Sequence, residues 1–203
     1  EWLIDEVSSG QAVKLPVKEL KFPFETLFGL TEEVLLGLKF ELLDDENLLL
    51  CSSEHKVSIL PANFWGGESR QPDLLAAFVK PNGLYVESIV RKVALLLESS
   101  GHGRSVDGYQ SNTREKPYLM LAALWNVIFQ EKLAYVSPPQ GFAKTGQRIR
   151  LAADISQSKM AACLDSSVLF ASCIEAMGLN PVVAITSGHA FAGAWLIDEK
   201  LPI

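Results

Sequence analysis

Met160-Ala161-Ala162-Cys163-Leu164-Asp165 opens the stretch of sequence that decides the fold of this chain, and Met177-Gly178 closes it. Between these points, apolar side chains recur at the spacing of one helix face: Val168, Ala171, Ile174 and Met177. This period predicts a helix from about Cys163 to Met177. Gly178 follows directly, at the place where glycine commonly ends a helix because it accepts a left-handed backbone.

Two strands are predicted directly after this helix. A β-branched run covers 182–186, and a second strand, antiparallel to the first, is expected over 189–197. Two earlier helices are predicted at about 84–97 and 115–132, and a loop is expected from 137 to about 158. A helix packed on an antiparallel sheet makes the fold class α+β.

The first 60 residues have a different period. Apolar and polar residues alternate over 13–17 and 36–42, and short apolar runs cover 48–51 and 56–60. These patterns predict strands, and a small β-sandwich or sheet is the natural way to pack them. We therefore expect a β-rich domain over 1–62 and an α+β domain over 63–203, with the boundary near 64–69.

Composition excludes several classes of protein. The chain has 203 residues, of which 48% are hydrophobic and 21% are charged, and this is typical of a globular protein. Its formal net charge of −6 gives no overall attraction for nucleic acid. No apolar run reaches the roughly 18 residues of a transmembrane helix, so no membrane association is expected.

The cysteines and histidines do not predict a disulfide framework or a metal site. Three cysteines are too few and odd in number for such a framework, which favours a reducing, cytoplasmic setting. The histidines are too far apart for the usual zinc patterns, and no cofactor is predicted. The segment 141–146 resembles the start of a phosphate-binding loop, but Gln147 stands where that loop needs lysine. The chain begins at Glu1 without methionine and stops after a strand-like stretch, so we expect a piece of a longer protein.

Cys163 and His189 are the candidate catalytic residues. A thiolate at a helix start is stabilised by the terminal N–H groups and by a nearby imidazolium, as cysteine nucleophiles require. The alternatives stay open. A free cysteine is more often a small buried hydrophobe, as we expect for Cys173 and Cys51, and a lone histidine is more often structural.

Two further residues are candidates for support of this pair. Asp165 lies in the first turn of the predicted helix, where a carboxylate accepts N-terminal N–H groups. Gln147 is a candidate donor to an oxyanion, beside the backbone N–H of Cys163, because the loop 146–150 leads toward the helix start. An amide that only braces the loop is an equally open role for Gln147.

The order of these features resembles the transglutaminase-like superfamily. In that pattern Cys163-Leu164-Asp165 opens a helix and Gly178 ends it. An apolar strand follows, and His189-Ala190-Phe191 opens the second strand. Tyr135 resembles the tyrosine that often ends the entry helix of this family. The resemblance implies a papain-like core, with Cys163 and His189 as two members of a Cys–His–Asp triad. Asp198 is expected not to reach the imidazole, so the third member is expected beyond Ile203.

Blocks along most of the chain are similar to the N-terminal region of large bacterial proteins that continue into a superfamily I DNA helicase-like ATPase. The blocks include Phe64-Trp65-Gly66-Gly67, Asp107-Gly108-Tyr109-Gln110-Ser111, Gly146-Gln147-Arg148-Ile149-Arg150 and Gly188-His189-Ala190-Phe191-Ala192-Gly193. The resemblance implies a β-rich domain followed by a transglutaminase-like domain. Nucleic acid would then be bound only by regions outside this chain. Ala161 and Ala162 depart from the pattern, since the family commonly has Gly or Thr before the nucleophile.

Two functions follow as hypotheses. The first is cysteine-dependent acyl transfer or amide hydrolysis on a protein or peptide substrate, with Cys163 as nucleophile and His189 as proton carrier. The second is a catalytically inactive papain-like interaction module, accessory to a helicase-like motor, because a fold alone does not settle function.

Overall fold

The computed structural model describes residues 2–4, 7–16, 19, 21, 23, 25, 27, 29–70 and 72–198. Helices and small, mostly antiparallel sheets alternate along the chain, so the fold is of mixed α and β type, as the sequence predicts. The chain divides into two units, Glu1–Ala62 and Asn63–Ile203.

A β-hairpin is the main element in the described part of the first unit. Strand β1 (Val34–Leu43) pairs with β2 (Leu49–Ile59) in antiparallel register, with Val34 opposite Ile59. The turn forms because the Asp44 carboxylate accepts the backbone N–H groups of Glu46 at 3.0 Å and Leu48 at 2.8 Å. Asn47 supplies the left-handed residue of the turn, with φ of 63°.

The hairpin corrects two expectations for the first unit. Residues 48–51 and 56–60 were expected as separate strands, but β2 runs through both, because the ten-residue β1 carries the hydrogen-bond ladder across the polar segment between them. Residues 13–16 form no strand, and Val17 lies outside the described residues. The described part of this unit contains one two-stranded sheet and not the second sheet that a sandwich requires.

The second unit alternates short strands with helices. Its elements, in chain order, are β3 (Phe64–Trp65), a 3-10 helix (Pro72–Phe78), α1 (Leu84–Ser99), α2 (Glu115–Gln130), β4 (Ala134–Tyr135), α3 (Phe142–Thr145), β5 (Gln147–Arg148), α4 (Ala152–Ser158), β6 (Met160–Ala161), α5 (Cys163–Ala176), β7 (Pro181–Ile185) and β8 (Ala190–Ala194). Strand β3 pairs antiparallel with β5, β4 pairs parallel with β6, and β7 pairs antiparallel with β8.

Helix α5 lies at the centre of this unit. It packs against α1 on one side and against the β7–β8 hairpin on another. One core cluster joins the apolar faces of α1, α2 and α5, and its fully buried members include Ile89, Val93, Met120, Leu124 and Cys173. The helix ends as predicted. Gly178 has φ of 76°, and the N–H groups of Gly178 and Leu179 donate to the carbonyls of Glu175 and Ile174, which is a Schellman motif.

An ionic cluster fastens the end of α2 to its neighbours. The Glu131 carboxylate accepts hydrogen bonds from Lys159 at 2.6 Å, from Tyr85 at 3.1 Å and from Lys92. These three contacts lower the pKa of Glu131 to about 2, with Lys159 contributing most. Burial, together with the Glu131 carboxylate, raises the pKa of Tyr85. The cluster therefore links α1, α2 and the start of β6.

The segment 137–158, expected as a loop, contains three short elements instead: α3, β5 and α4. None is long enough to give a readable period, and contacts from distant residues hold them in place. The Ile149 N–H donates to the Asn63 carbonyl at 2.7 Å, and the Glu68 N–H donates to the Ala143 carbonyl at 2.7 Å. The segment 64–69, expected at the domain boundary, is accordingly packed into the second unit.

Candidate active site

Cys163 is the first residue of α5. Ala162, the residue before it, has an extended backbone with φ of −83° and ψ of 174°, so the helix starts abruptly at the cysteine. The first backbone N–H groups of a helix have no intrahelical partner and carry the positive end of the helix dipole. The side chain of Cys163 is only 3% exposed and packs among apolar residues that include Trp65, Leu164 and Ala190.

Asp165 fixes the start of α5. Its carboxylate is fully buried and accepts the N–H of Ala162 at 2.8 Å, which is the return bond of a capping box. It also accepts the backbone N–H of Arg150 at 2.9 Å and the Arg150 guanidinium at 3.1 Å. Asp165 therefore supports the helix start and ties it to the residues that follow β5. No local pattern indicates Arg150 as its partner, because that contact is set by the tertiary fold.

Tyr135 lies beside the cysteine. Parallel pairing of β4 with β6 sets Tyr135 opposite Ala161, and the Val136 N–H donates to the Ala161 carbonyl at 3.0 Å. The Tyr135 phenol and the Cys163 thiol interact electrostatically. Local desolvation of the hydroxyl raises the pKa of Tyr135, and the Cys163 sulfur raises it further, although the side chain is 63% exposed as a whole.

Gln147 is buried at the edge of the same region. It is 3% exposed, and its Oε1 atom is shielded from solvent without a hydrogen-bond partner. Strand pairing sets Gln147 directly opposite Trp65. Gly146, immediately before it, has φ of 82°, and a side chain there would meet the Trp65 carbonyl oxygen at 2.1 Å. Only glycine therefore allows the start of β5 to lie this close to the backbone of Trp65.

A cavity of ≈ 630 Å³ adjoins the start of α5. Gln147 and Ala162 line it together with Arg150, and the opposite wall is formed by the segment 136–139. Cys163 is not one of the lining residues, but Ala162, which directly precedes it, is. A substrate carbonyl placed in the cavity would therefore approach the helix start from the side of Ala162 and Gln147.

His189 immediately precedes β8 and is exposed to solvent. Its carbonyl accepts hydrogen bonds from the Thr186 N–H at 2.8 Å and from the Thr186 hydroxyl at 3.1 Å, which closes the turn between β7 and β8. The next residue, Ala190, is buried in the apolar cluster that contains Cys163. Across the described ranges, no hydrogen bond joins the imidazole to the Cys163 sulfur.

The predicted site residues therefore fall into two groups. Cys163, Asp165 and Gln147 lie around the start of α5, whereas His189 borders the same cluster through its neighbour Ala190 and directs its own side chain to solvent. Asp198 accepts a hydrogen bond from the Asn180 amide at 3.2 Å, and no described contact joins it to His189. The role of Trp65 in this region was missed, since a tryptophan before two glycines was interpreted as a domain boundary.

The other two cysteines have different surroundings. Cys173 lies inside the main core, where burial raises its pKa to about 12 and leaves it an inert thiol. Cys51 is exposed on the hairpin of the first unit. Cys163 is thus the cysteine that adjoins both a helix start and a cavity.

Two other kinds of site, a metal site and a membrane span, are absent from the residues that the structure describes. Among the described residues, no three histidine, cysteine or acidic side chains converge in a way that could hold a metal ion. In the same part of the chain, no helix has both the length and the apolar character needed to span a bilayer. In comparisons with known proteins, the chain matches no family model, no curated protein and no solved structure.

Proposed function

We propose that Asn63–Ile203 is a papain-like, transglutaminase-like domain that transfers an acyl group from an amide or peptide to water through Cys163. The proposal rests on the position of this thiol at the N-terminus of a helix of 14 residues, beside a tyrosine and next to an open cavity. Oriented N–H groups at a helix start stabilise a thiolate, and the thiolate is the nucleophilic form of cysteine.

The proposed reaction has two half-reactions. In the first, the Cys163 Sγ attacks the carbonyl carbon, the carbon–nitrogen bond breaks, and the amine leaves with a proton that His189 has taken from the thiol. In the second, His189 takes a proton from water, and the resulting hydroxide attacks the thioester carbon. The carbon–sulfur bond then breaks, the product leaves as the carboxylic acid, and the proton held by His189 restores the thiol. Hydrolysis is preferred over cross-linking because no feature of the site selects an amine acceptor.

Two donors are proposed for the oxyanion of the tetrahedral intermediate. The backbone N–H of Cys163 is one, since it lies at the helix start with no intrahelical acceptor. The Gln147 amide is the other: it lines the cavity beside Ala162, and its buried end is Oε1, which leaves Nε2 to reach the substrate. Removal of one such donor typically lowers kcat by about 10² to 10³.

His189 has to turn toward the thiol for this chemistry. The bordering residue Ala190 packs in the same cluster as Cys163, and the proposed reaction has the imidazole rotate from solvent toward this cluster. Hydrogen bonds between catalytic groups are often long or unmade until substrate binds. An orienting third residue, predicted outside this chain, would further restrict the imidazole.

Site-selective alkylation tests the proposal. Native protein is treated with iodoacetamide at pH 6 and pH 8, and the labelled cysteines are identified by peptide mass. At pH 6, Cys163 is expected to react about tenfold faster than the exposed Cys51, because its sulfur lies at the N-terminus of a helix. His189→Ala is expected to remove this advantage, whereas His102→Ala, which changes an exposed histidine, leaves it unchanged. Equal rates in the two histidine variants would contradict the dyad.

A second function is favoured by one specific observation. Cys163 is almost completely buried and makes no hydrogen bond to His189 among the described residues, as in a papain-like module that binds a protein partner without catalysis. In that role the domain would accompany a helicase-like motor outside this chain. Labelling of Cys163 only after unfolding in urea would favour this second function over the first.

A further inference from the structure

Two buried polar atoms without partners lie on residues that face each other. Within the described part of the chain, three buried side-chain nitrogen or oxygen atoms have no hydrogen-bond partner, and they include the Trp65 Nε1 and the Gln147 Oε1. Trp65 and Gln147 are direct cross-strand partners in the antiparallel pair β3–β5. Both side chains are nearly completely buried, at 1% and 3% exposure.

The two atoms are chemically complementary. The indole N–H is a donor only, and the amide Oε1 is an acceptor. Residues directly opposite on antiparallel strands project to the same face, with Cβ atoms about 4.5–5.5 Å apart. A buried polar group without a partner costs about 1–3 kcal/mol, so two such groups on one face are stabilised when they share a hydrogen bond or a bridging water.

The backbone around this pair is held closely. Gly67 and Gly146 both have left-handed backbones, with φ of 80° and 82°, and a side chain at either would collide with the opposite segment. The Glu68 N–H donates to the Ala143 carbonyl at 2.7 Å. The segment that carries Trp65 is therefore fixed against the segment that carries Gln147, and the two side chains have little freedom to separate.

We propose that Trp65 is a positioning residue for Gln147. Its indole N–H is linked to the Gln147 Oε1 through one bridging water, and this link turns the Nε2 of the amide into the cavity beside Ala162. The role in catalysis rests on the proposed acyl transfer at Cys163, whereas the contact between the indole and the amide does not. Trp65 shares an apolar cluster with Cys163, but in this scheme its effect on the reaction is exerted through Gln147.

The contact is tested without any substrate, by ¹⁵N NMR of the tryptophan indole groups. The chain has four tryptophans, and Trp65→Phe identifies the signal of Trp65. In the native protein this indole N–H is expected to exchange with solvent at least about 100-fold more slowly than that of Trp125, which is 66% exposed. Gln147→Met, which removes the acceptor but keeps the length of the side chain, is expected to shift the Trp65 signal and leave the Trp125 signal in place.

The positioning role is tested by acylation with p-nitrophenyl acetate, an activated ester that transfers its acetyl group to a thiol. Trp65→Phe is expected to lower kcat about tenfold with KM within twofold, because the donor Nε2 is still present but misdirected. Gln147→Met is expected to lower kcat by about 10² or more. Leu75→Ala, which trims a side chain packed against the same cluster, serves as a control for loss of packing and is expected to leave kcat within threefold.

The NMR experiment tests the contact between Trp65 and Gln147, and the acetylation experiment tests its role in catalysis. If Gln147→Met leaves the Trp65 signal unshifted in a protein whose circular dichroism is native, the contact is absent and the inference is overturned. If the signal shifts but no variant or native protein is acetylated at Cys163, the positioning role falls together with the proposed function. If the signal shifts and kcat falls in Trp65→Phe but not in Leu75→Ala, both are supported.

Discussion

Asp165 and Arg150 are joined twice: the fully buried carboxylate of Asp165 accepts the backbone N–H of Arg150 at 2.9 Å and its guanidinium at 3.1 Å. The same carboxylate caps the start of α5 through the Ala162 N–H. One side chain therefore fixes both the helix that begins at Cys163 and the segment that follows Gln147. The distance between the proposed nucleophile and the proposed oxyanion donor depends on this carboxylate.

Asp165→Ala is expected to lower the free energy of unfolding by about 3 kcal/mol, because it leaves a guanidinium and two backbone N–H groups without their acceptor. Urea unfolding followed by circular dichroism measures the change. Asp154→Ala is the matched control, since Asp154 makes the same kind of bond to the Leu151 N–H at 3.2 Å but is only half-buried. It is expected to cost about 1 kcal/mol. Equal costs in the two variants would contradict the special role of Asp165.

Glu131 predicts a component of stability that depends on pH. Its pKa in the folded protein is about 2, below the ordinary value of 4.5, so the folded state favours the ionised carboxylate. The contribution of the ionised Glu131 to the free energy of unfolding is therefore complete above pH 4.5, and it is lost as the pH falls from 4.5 toward 2.

Glu131→Gln is expected to lower the free energy of unfolding by about 1–2 kcal/mol at pH 7 and by much less near pH 2. The loss at pH 7 is small for such a large pKa shift because both lysine partners are half exposed, and solvent screens the ion pairs. Thermal unfolding at a series of pH values measures the difference between variant and native protein. Glu175→Gln, at an exposed position, is expected to show no such convergence. A constant difference from pH 7 to pH 2 would refute the assignment.

The parts of the fold that were predictable are those fixed by nearby residues. The period of α5 and the glycine after it are local signals, and the Schellman motif at Gly178 follows from them. The strands β7 and β8 were equally predictable. A β-branched run indicates β7, and a turn of mostly small residues separates it from β8. Each of these elements is long enough for its own residues to show the period: α5 has 14 residues, and β7 and β8 have five each.

The parts that could not be predicted depend on contacts between distant residues. Strand β5 has two residues, and it exists because β3, more than 80 residues earlier, supplies its hydrogen bonds. The same pairing brings Trp65 to Gln147, which no local pattern indicates. His189 likewise lies in the turn that Thr186 closes, one residue before β8, and not in the strand that the alternation predicts. The arrangement of Cys163, Asp165 and Gln147 around the start of α5 therefore depends on tertiary contacts that no local pattern indicates.

Tyr135 predicts a measurable signature of the Cys163 environment. Desolvation first, and then the neighbouring sulfur, raise the pKa of this phenol above 10. The phenol therefore stays protonated to higher pH than an ordinary tyrosine. Absorbance at about 295 nm, taken as the difference between native protein and Tyr135→Phe, isolates its titration.

Cys163→Ala is expected to move this titration to lower pH, but not fully to the ordinary value, because the desolvation persists. Cys173→Ala is the control, since that thiol lies in the core formed by α1, α2 and α5. A titration that is the same in native protein and Cys163→Ala would show that the phenol and the thiol do not interact.

Gly146 allows the close approach of β5 to β3, and the cost of a side chain there can be separated from the cost of its backbone angle. Gly146 and Gly101 share φ of 82°, but a Cβ at Gly146 would lie 2.1 Å from the Trp65 carbonyl oxygen, whereas a Cβ at Gly101 meets nothing within 4 Å. Gly101→Ala is expected to cost about 1 kcal/mol through backbone strain alone. Gly146→Ala is expected to cost at least about 2 kcal/mol more in urea unfolding, because the opposing atom is backbone and cannot rotate away.

Since the displaced strand carries Gln147, Gly146→Ala is also expected to slow acetylation of Cys163. If the two glycine variants have equal stability, β3 does not constrain β5, and the route by which Trp65 positions Gln147 is lost.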